Sequence, residues 1–397
     1  MTSQTHRRIH RSLVKAGVLA AAVTLLAGCS TLSDWFGGSP EKDAIEPVEL
    51  TDFNASAKVV KMWSTKADAD ADIGVVQSPT VVDGRVYIAG QDGRVRSLDL
   101  QTGDQLWEHR ADMAFVANPG AGDGYVVVGS LEGDVVALDV ATGEQKWTAK
   151  VPGEVVAPPT VGQGLVFVHG NDGRVTAFDV TSGQRRWFWN RDLPSLSVRG
   201  NDGVVLGPGF VFVGNDDGTV VALSLNDGRP LWEQAIGQPD GRTELDRMAD
   251  VDGTPSLDGA ILFATSFKRV TMAIEAPSGR PLWAQEQGGR GRVGIALDRV
   301  IVSDVTGSVW ALDKNGGNAV WQQSGLLRRA PTGAAIHGDY AVVGDFDGYL
   351  HWLRLDNGDF GARIRMGGEL RGAPVVANGV LVAQSAEGEV AAFRFSE

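Results

Sequence analysis

Ala137-Leu138-Asp139-Val140-Ala141-Thr142-Gly143-Glu144-Gln145-Lys146-Trp147 leads from one apolar run into the next through a turn that ends in glycine. The same Ala-x-Asp-x-x-x-Gly-x-x-x-Trp spacing stands intact at Ala177, Asp179, Gly183 and Trp187, and again at Ala311, Asp313, Gly317 and Trp321. Its glycine and tryptophan recur as Gly103/Trp107, Gly228/Trp232 and Gly279/Trp283, while Gly358 is followed at the same offset by Ala362. Trp63 precedes them all. A unit of about forty residues with four short apolar runs predicts the blade of a propeller.

One unit shows the strands. Pro79 to Val82 is a short apolar run, Asp83-Gly84 a turn, Arg85 to Ala89 an alternating strand and Gln91-Asp92-Gly93 a hairpin. Arg94 to Leu100 makes a third strand, and Gln105 to Glu108, with Trp107, a fourth. The Asp-Gly pairs are turn chemistry, placing a glycine where φ is positive. In the last unit the strands Val380 to Ala383 and Glu389 to Phe395 have no Trp-bearing fourth strand after them. Lys58 to Trp63 is such a strand with no unit before it. Added to the outer edge of the last blade, it completes an all-β, eight-bladed propeller, four antiparallel strands per blade, and pairs an otherwise bare edge.

The first 28 residues carry Arg7, Arg8, Arg11 and Lys15, no acid, and then an apolar run that ends Leu26-Ala27-Gly28-Cys29. This is a secretory signal with a lipidation site at Cys29, too short in its apolar run for the roughly 20 residues of a membrane span. Cys29 is the only cysteine, which removes disulfides and cysteine-built metal sites from consideration. Residues 29–57, with Gly37, Gly38, Pro40 and Pro47, read as a lipidated flexible tether, and 58–397 as the propeller. By resemblance to bacterial lipoproteins generally, Ser30 and Thr31 after the cysteine imply the outer membrane, on its periplasmic side. Loss of the four signal cations takes the formal charge from −13 to −17, which argues against nucleic acid as a partner.

The Ala-x-Asp-x-x-x-Gly-x-x-x-Trp repeat resembles that of propellers first known from pyrroloquinoline-quinone dehydrogenases. The resemblance implies tryptophans wedged between blades, a structural role. It also implies a cofactor stacked on a vicinal disulfide, and a chain with Cys29 alone cannot supply one, so no cofactor is expected. His109, His169, His337 and His351 occur one per unit without metal-ligand spacing. Gly289, Gly291 and Gly294 match a dinucleotide fingerprint in letters but precede a strand, Arg299 to Val302, and no helix. Asp68, Asp70 and Asp72 alternate as in a calcium loop, yet its twelfth position is Pro79.

Function is then sought where the repeat is broken. The connection from a blade's Trp, or Ala362, to the next blade spans 10 to 12 residues after blades 1, 2, 5, 6 and 7. After blade 3 it runs 17 residues, from Trp187 to Val204, and after blade 4 it runs 22, from Trp232 to Thr254. Strands alternate in direction, so these connections share a face with the hairpins between second and third strands. In blade 5 that hairpin carries Arg269 where its counterparts have glycine. Enlarged loops clustered on one face predict a partner-binding surface.

The long connections carry a closer likeness. Pro194 to Gly200, with Leu196, Val198 and Arg199, and Arg247 to Pro255, with Asp250 and Asp252, are similar to stretches of the BamB family, lipoproteins of the outer-membrane β-barrel assembly machinery. The resemblance implies a non-catalytic scaffold that aids folding and insertion of outer-membrane proteins. It implies that Leu196, Val198, Arg199, Asp250 and Asp252 contribute to binding the periplasmic POTRA domains of BamA, beside other subunits of the machinery and unfolded outer-membrane proteins. Val198 departs conservatively from the family's leucine. From the residues alone, Leu196 and Val198 alternate with serines, presenting two apolar groups beside the fork of Arg199, a composition suited to a binding hot spot. The other reading of the same residues has Leu196 and Val198 in the core and Arg199 paired internally with Asp250 or Asp252. Two other functions fit the repeat: a quinoprotein-type dehydrogenase, and a sugar- or peptide-binding propeller.

Overall fold

The computed structural model describes residues 46–69, 72, 78–193, 203–237, 251, 253–267, 269–289 and 291–396. Each tryptophan of the repeat rests on the glycine of the following blade. Gly143 has φ +73°, and a Cβ there would stand 2.6 Å from the ring of Trp107. Trp63 covers Gly103, Trp147 covers Gly183, Trp187 covers Gly228, Trp232 covers Gly279, Trp283 covers Gly317 and Trp321 covers Gly358 in the same way. The indole N–H of each donates to a carbonyl of that next blade, Trp107 to Val140 at 3.0 Å and Trp147 to Val180 at 2.8 Å among them. The spacing of glycine and tryptophan in the sequence is thus the spacing of blades in space. Burying roughly 150–250 Å² per indole, each seam gains at most about 4–6 kcal/mol.

The motif's other two residues also have local causes. Asp139 accepts the amides of Ala141 and Thr142, both at 3.0 Å, and the Thr142 hydroxyl at 3.1 Å, which folds the turn before Gly143. Those hydrogen bonds, the Thr142 amide first, hold its carboxyl below the usual range. Ala137 pairs directly with Trp147 across the ladder, and the register shifts immediately after it, so a small residue makes room for the indole at a bulge. Blade 7 inverts the pair: Trp352 occupies the third strand and faces Ala362 in the fourth. The missing tryptophan of the repeat has moved across the ladder.

The described residues form 32 strands in eight four-stranded antiparallel sheets. In seven of them the strands follow in chain order, innermost first; in the eighth, Val375–Ala377, Val380–Gln384 and Glu389–Phe395 are followed outward by Val59–Lys66. The amino-terminal strand therefore closes the ring as expected, pairing Trp63 with Ala392 and Lys66 with Glu389. Apolar side chains such as Val127, Val135, Val166 and Phe178 fill the space between one blade and the next. Among the described residues there is no α-helix.

Contacts within the chain define Glu49–Glu397 as one unit. Its first residues, read from the sequence as the end of the tether, lie along the fourth strand of blade 7, Phe360–Arg365. The amides of Ser56 and Ala57 both donate to the carbonyl of Gly361, at 3.0 and 3.1 Å. Arg363 donates to the Thr51 carbonyl at 3.0 Å and lies over the rings of Phe53 and Phe360, 5.0 and 4.9 Å from their centroids. Behind this strap blade 7 holds a chain of side-chain hydrogen bonds. Arg363 donates Nε–H to His351 Nδ1, His351 Nε2 donates to Asp345, and Asp345 also receives Arg329 Nε–H at 2.8 Å.

Candidate partner-binding surface

Cys29, Leu196, Val198, Arg199, Asp250 and Asp252 lie outside the described residues. The residues that hold the ends of their segments are described. Among them a single hairpin recurs: Asn215 to Thr219, between the second and third strands of blade 4.

The connection after blade 3 leaves the strand Arg185–Asn190 at Arg191. In blades 1, 2, 4, 7 and 8 the residue at this point, bonded by its amide to the hairpin glycine of its own blade, is Ala111, Val151, Ile236, Met366 or Ala67. Those side chains plug the seam apolar side inward. Blade 3 has arginine there, and its guanidinium crosses to blade 4. Nε meets the Asp217 carboxylate at 2.5 Å, and the two Nη atoms form a fork with Glu233, each at 2.9 Å. Asp217 is fixed from its other oxygen by the Thr219 hydroxyl at 2.6 Å and amide at 3.1 Å. The hydrogen bonds from Arg191 keep the Glu233 carboxyl below its usual range, against the opposing effect of partial burial. Two residues on, Leu193 is 43% exposed and packs by its Cδ2 over Gly173. The far end of the same connection is held at the inner strands, where Thr160 donates to the Val204 carbonyl at 2.9 Å.

The connection after blade 4 returns at Val251, which stands between Asp250 and Asp252 in the sequence. Val251 is 5% exposed, joins the apolar core between blades 4 and 5, and donates its amide to the Asn215 carbonyl at 3.2 Å. Gly253 follows at a place where a Cβ would come within 2.8 Å of the Gly291 backbone and 3.0 Å of the Arg292 nitrogen. The blade 4 hairpin thus holds the start of one long connection through Asp217 and the end of the other through Asn215.

The neighbouring hairpin of blade 5 keeps the shape of the others without their glycine. Arg269 has φ +66° where Gly93, Gly133, Gly173, Gly218, Gly307, Gly348 and Gly388 are likewise positive, and its amide donates to Ser266 at 3.1 Å. An exposed arginine in this conformation costs about 1–2 kcal/mol relative to the relaxed backbone. Sequence reasoning found this irregularity and both long connections. It missed Arg191, whose only signal is a charge at a position that is apolar in five other blades. Among the described residues no group of three or more His, Cys, Asp or Glu is arranged to hold a metal ion. Two of the described histidines are held by hydrogen bonds within blade 7 and to its neighbour: His337 lies between Gly379 and Trp352, and His351 between Asp345 and Arg363.

A family profile described as outer membrane protein assembly factor BamB matches residues 50–121, 91–323 and 305–397. Outer membrane protein assembly factor BamB of Xanthomonas campestris pv. campestris is 53% identical, over 96% of this chain and 98% of that protein. The crystal structure of BamB from Moraxella catarrhalis superimposes with a TM-score of 0.78 and 28% identity, covering 85% of this chain and 100% of that one. The quinohemoprotein alcohol dehydrogenase of Comamonas testosteroni, with a TM-score of 0.66 at 15% identity over 85% of this chain and 76% of that one, shares the fold alone. The chain belongs to the family of outer membrane protein assembly factor BamB.

Proposed function

We propose that this chain is a non-catalytic scaffold lipoprotein of the outer-membrane β-barrel assembly machinery. Lipid on Cys29 tethers it to the periplasmic side of the outer membrane, and the two long connections bind the periplasmic POTRA domains of BamA. Leu196 and Val198 supply apolar contact, Arg199 a charged fork, and Asp250 and Asp252 the acidic part of the surface. Through that contact it takes part in folding and inserting outer-membrane proteins beside the other subunits. The observation that carries the reading is that the described ends of both enlarged connections, Arg191 and Val251, are held by one hairpin, Asn215 to Thr219. The assembly-factor names of the relatives support the same role. A dehydrogenase of quinoprotein type is disfavoured by the single cysteine, which leaves no vicinal disulfide for a quinone to stack on.

The test is purification in detergent with the native tether intact. A BamA-type barrel protein with POTRA domains that co-purifies in constant ratio supports the proposal. A chain that elutes alone, or a quinone absorbance that follows the protein through purification, overturns it.

A further inference from the structure

We propose that Arg191 is a positioning residue for partner binding: its clamp on Asp217 and Glu233 makes the blade 4 hairpin a common base for the two long connections. The inference rests on the partner-binding role proposed for those connections.

Three observations carry it. First, the side chain sits where four other blades bury an apolar plug and a fifth half-buries one, Ala111, so a charge here has displaced the residue type that ordinary seam packing selects. Second, the guanidinium spends its donors on two carboxylates from different elements of blade 4, the hairpin and the outer strand Pro230–Ala235, which fixes its direction as well as its position. An arginine held by one carboxylate swings about that contact. One held by two, on Nε and on both Nη atoms, does not. Third, the hairpin it grips is the one that receives Val251 from the other long connection, so a shift at Asp217 is felt at Asn215, two residues away in the same turn. Asn215 is itself nearly buried and ties back to Thr219 through its side-chain amide, at 3.1 Å to the hydroxyl that also donates to Asp217. The turn is therefore a closed set of hydrogen bonds in which Arg191, Asp217, Thr219 and Asn215 constrain one another.

Lysine at 191 keeps the charge and loses the fork. Glutamine loses both, and Glu233→Gln removes the fork from the other side. None of these changes touches the apolar core, and the ion pairs are partly exposed, so the melting temperature moves little.

The experiment titrates the lipid-free mature chain with soluble BamA POTRA domains by calorimetry, using Arg191→Gln, Arg191→Lys, Glu233→Gln and, as reference, Arg199→Glu. A melting curve and amide hydrogen exchange across residues 192–203 and 238–250 accompany each titration. The expected result is binding weakened about three- to tenfold by Arg191→Gln and Glu233→Gln, partly recovered in Arg191→Lys, with faster exchange in both segments and unchanged melting. If Arg199→Glu abolishes binding while the Arg191 and Glu233 variants bind and exchange as the parent does, the clamp positions nothing and the interface stands without it. Loss of binding only in step with loss of melting temperature likewise overturns the inference. If Arg199→Glu binds normally, the interface itself is wrong and the inference falls with it.

Discussion

The indole of Trp63 donates to the Leu100 carbonyl at 2.9 Å, while the strand that carries it pairs along Glu389–Phe395. One amino-terminal strand thus belongs to blade 8 by its backbone and to blade 1 by its side chain. Removing residues 58–64 is expected to destabilise the whole ring, and Trp63→Ala alone to cost about 3–5 kcal/mol. Removing residues 30–49 leaves both the closing strand and the strap, and melting stays as in the parent. Equal melting temperatures for the two truncations contradict this account of closure.

The glycines of the repeat separate two costs that sequence alone confounds. Gly84 and Gly143 have nearly the same φ, +72° and +73°, but a Cβ meets nothing within 4 Å at Gly84 and the Trp107 ring at Gly143. Gly84→Ala is expected to lose about 1 kcal/mol of backbone preference, and Gly143→Ala clearly more, since the indole seat is lost as well. Chemical denaturation measures both, and equal losses mean that the glycine serves only the turn.

Acid stability follows from the two buried histidines of blade 7. His337 donates from Nε2 to the Gly379 carbonyl at 3.0 Å and accepts the Trp352 indole N–H on Nδ1 at 3.2 Å. His351 donates to Asp345 and accepts from Arg363 in the same sense. Indole and guanidinium only donate, so both rings are neutral. Burial lowers both pKa values. The unfolded chain takes up these protons near pH 6.5 and the folded chain does not, so their contribution is complete above about that pH and is lost as the pH falls below it. Burial would raise the Asp345 carboxyl, but hydrogen bonds from His351 and the Tyr349 amide outweigh it and hold it low, so further acid adds to the loss. Melting temperature is expected to drop between about pH 7 and about pH 5. His337→Gln and His351→Gln, which keep a donor and an acceptor without a titrating ring, flatten that slope; an unchanged slope assigns the acid sensitivity elsewhere.

Phe53→Ala tests the strap on blade 7. Phe53 meets Phe360 at 5.6 Å between centroids and covers the Arg363 guanidinium. Its loss is expected to cost about 1–2 kcal/mol and to speed proteolysis between residues 49 and 57. Cleavage at the parent rate in this segment means that the strap is not held by these contacts.

The architecture was legible because the repeat writes its packing into one spacing: Gly143 marks where Trp107 lands, and Ala137 where Trp147 needs room. Closure was legible for the same reason, since Trp63 without a blade and a last blade without tryptophan answer each other. The inversion of Trp352 and Ala362 was not, because a swap across a ladder leaves only a missing letter in the pattern. Nor was the strap, since the run before Lys58 has the composition of a tether and its contacts depend on Arg363, more than 300 residues away in the chain. Of the partner surface, loop length and the glycine-to-arginine change at Arg269 were visible. The clamp of Arg191 was hidden, as its partners Asp217 and Glu233 become neighbours only when blade 4 packs on blade 3.

Calorimetric titration of POTRA domains into the Arg199→Glu variant asks whether the long connections after blades 3 and 4 bind the periplasmic domains of the assembly machinery. Arg94→Glu is the control: Arg94 lies beside a regular hairpin on the same face, 3.0 Å from Asp92. Leu196→Ala is expected to weaken association by about 1–2 kcal/mol or more, and Asp250→Ala and Asp252→Ala to act in the same direction. Arg199→Glu is expected to abolish binding with an unchanged melting curve while Arg94→Glu binds as the parent does. Normal binding by Arg199→Glu, or a loss no greater than its loss of folding, contradicts this role of the long connections.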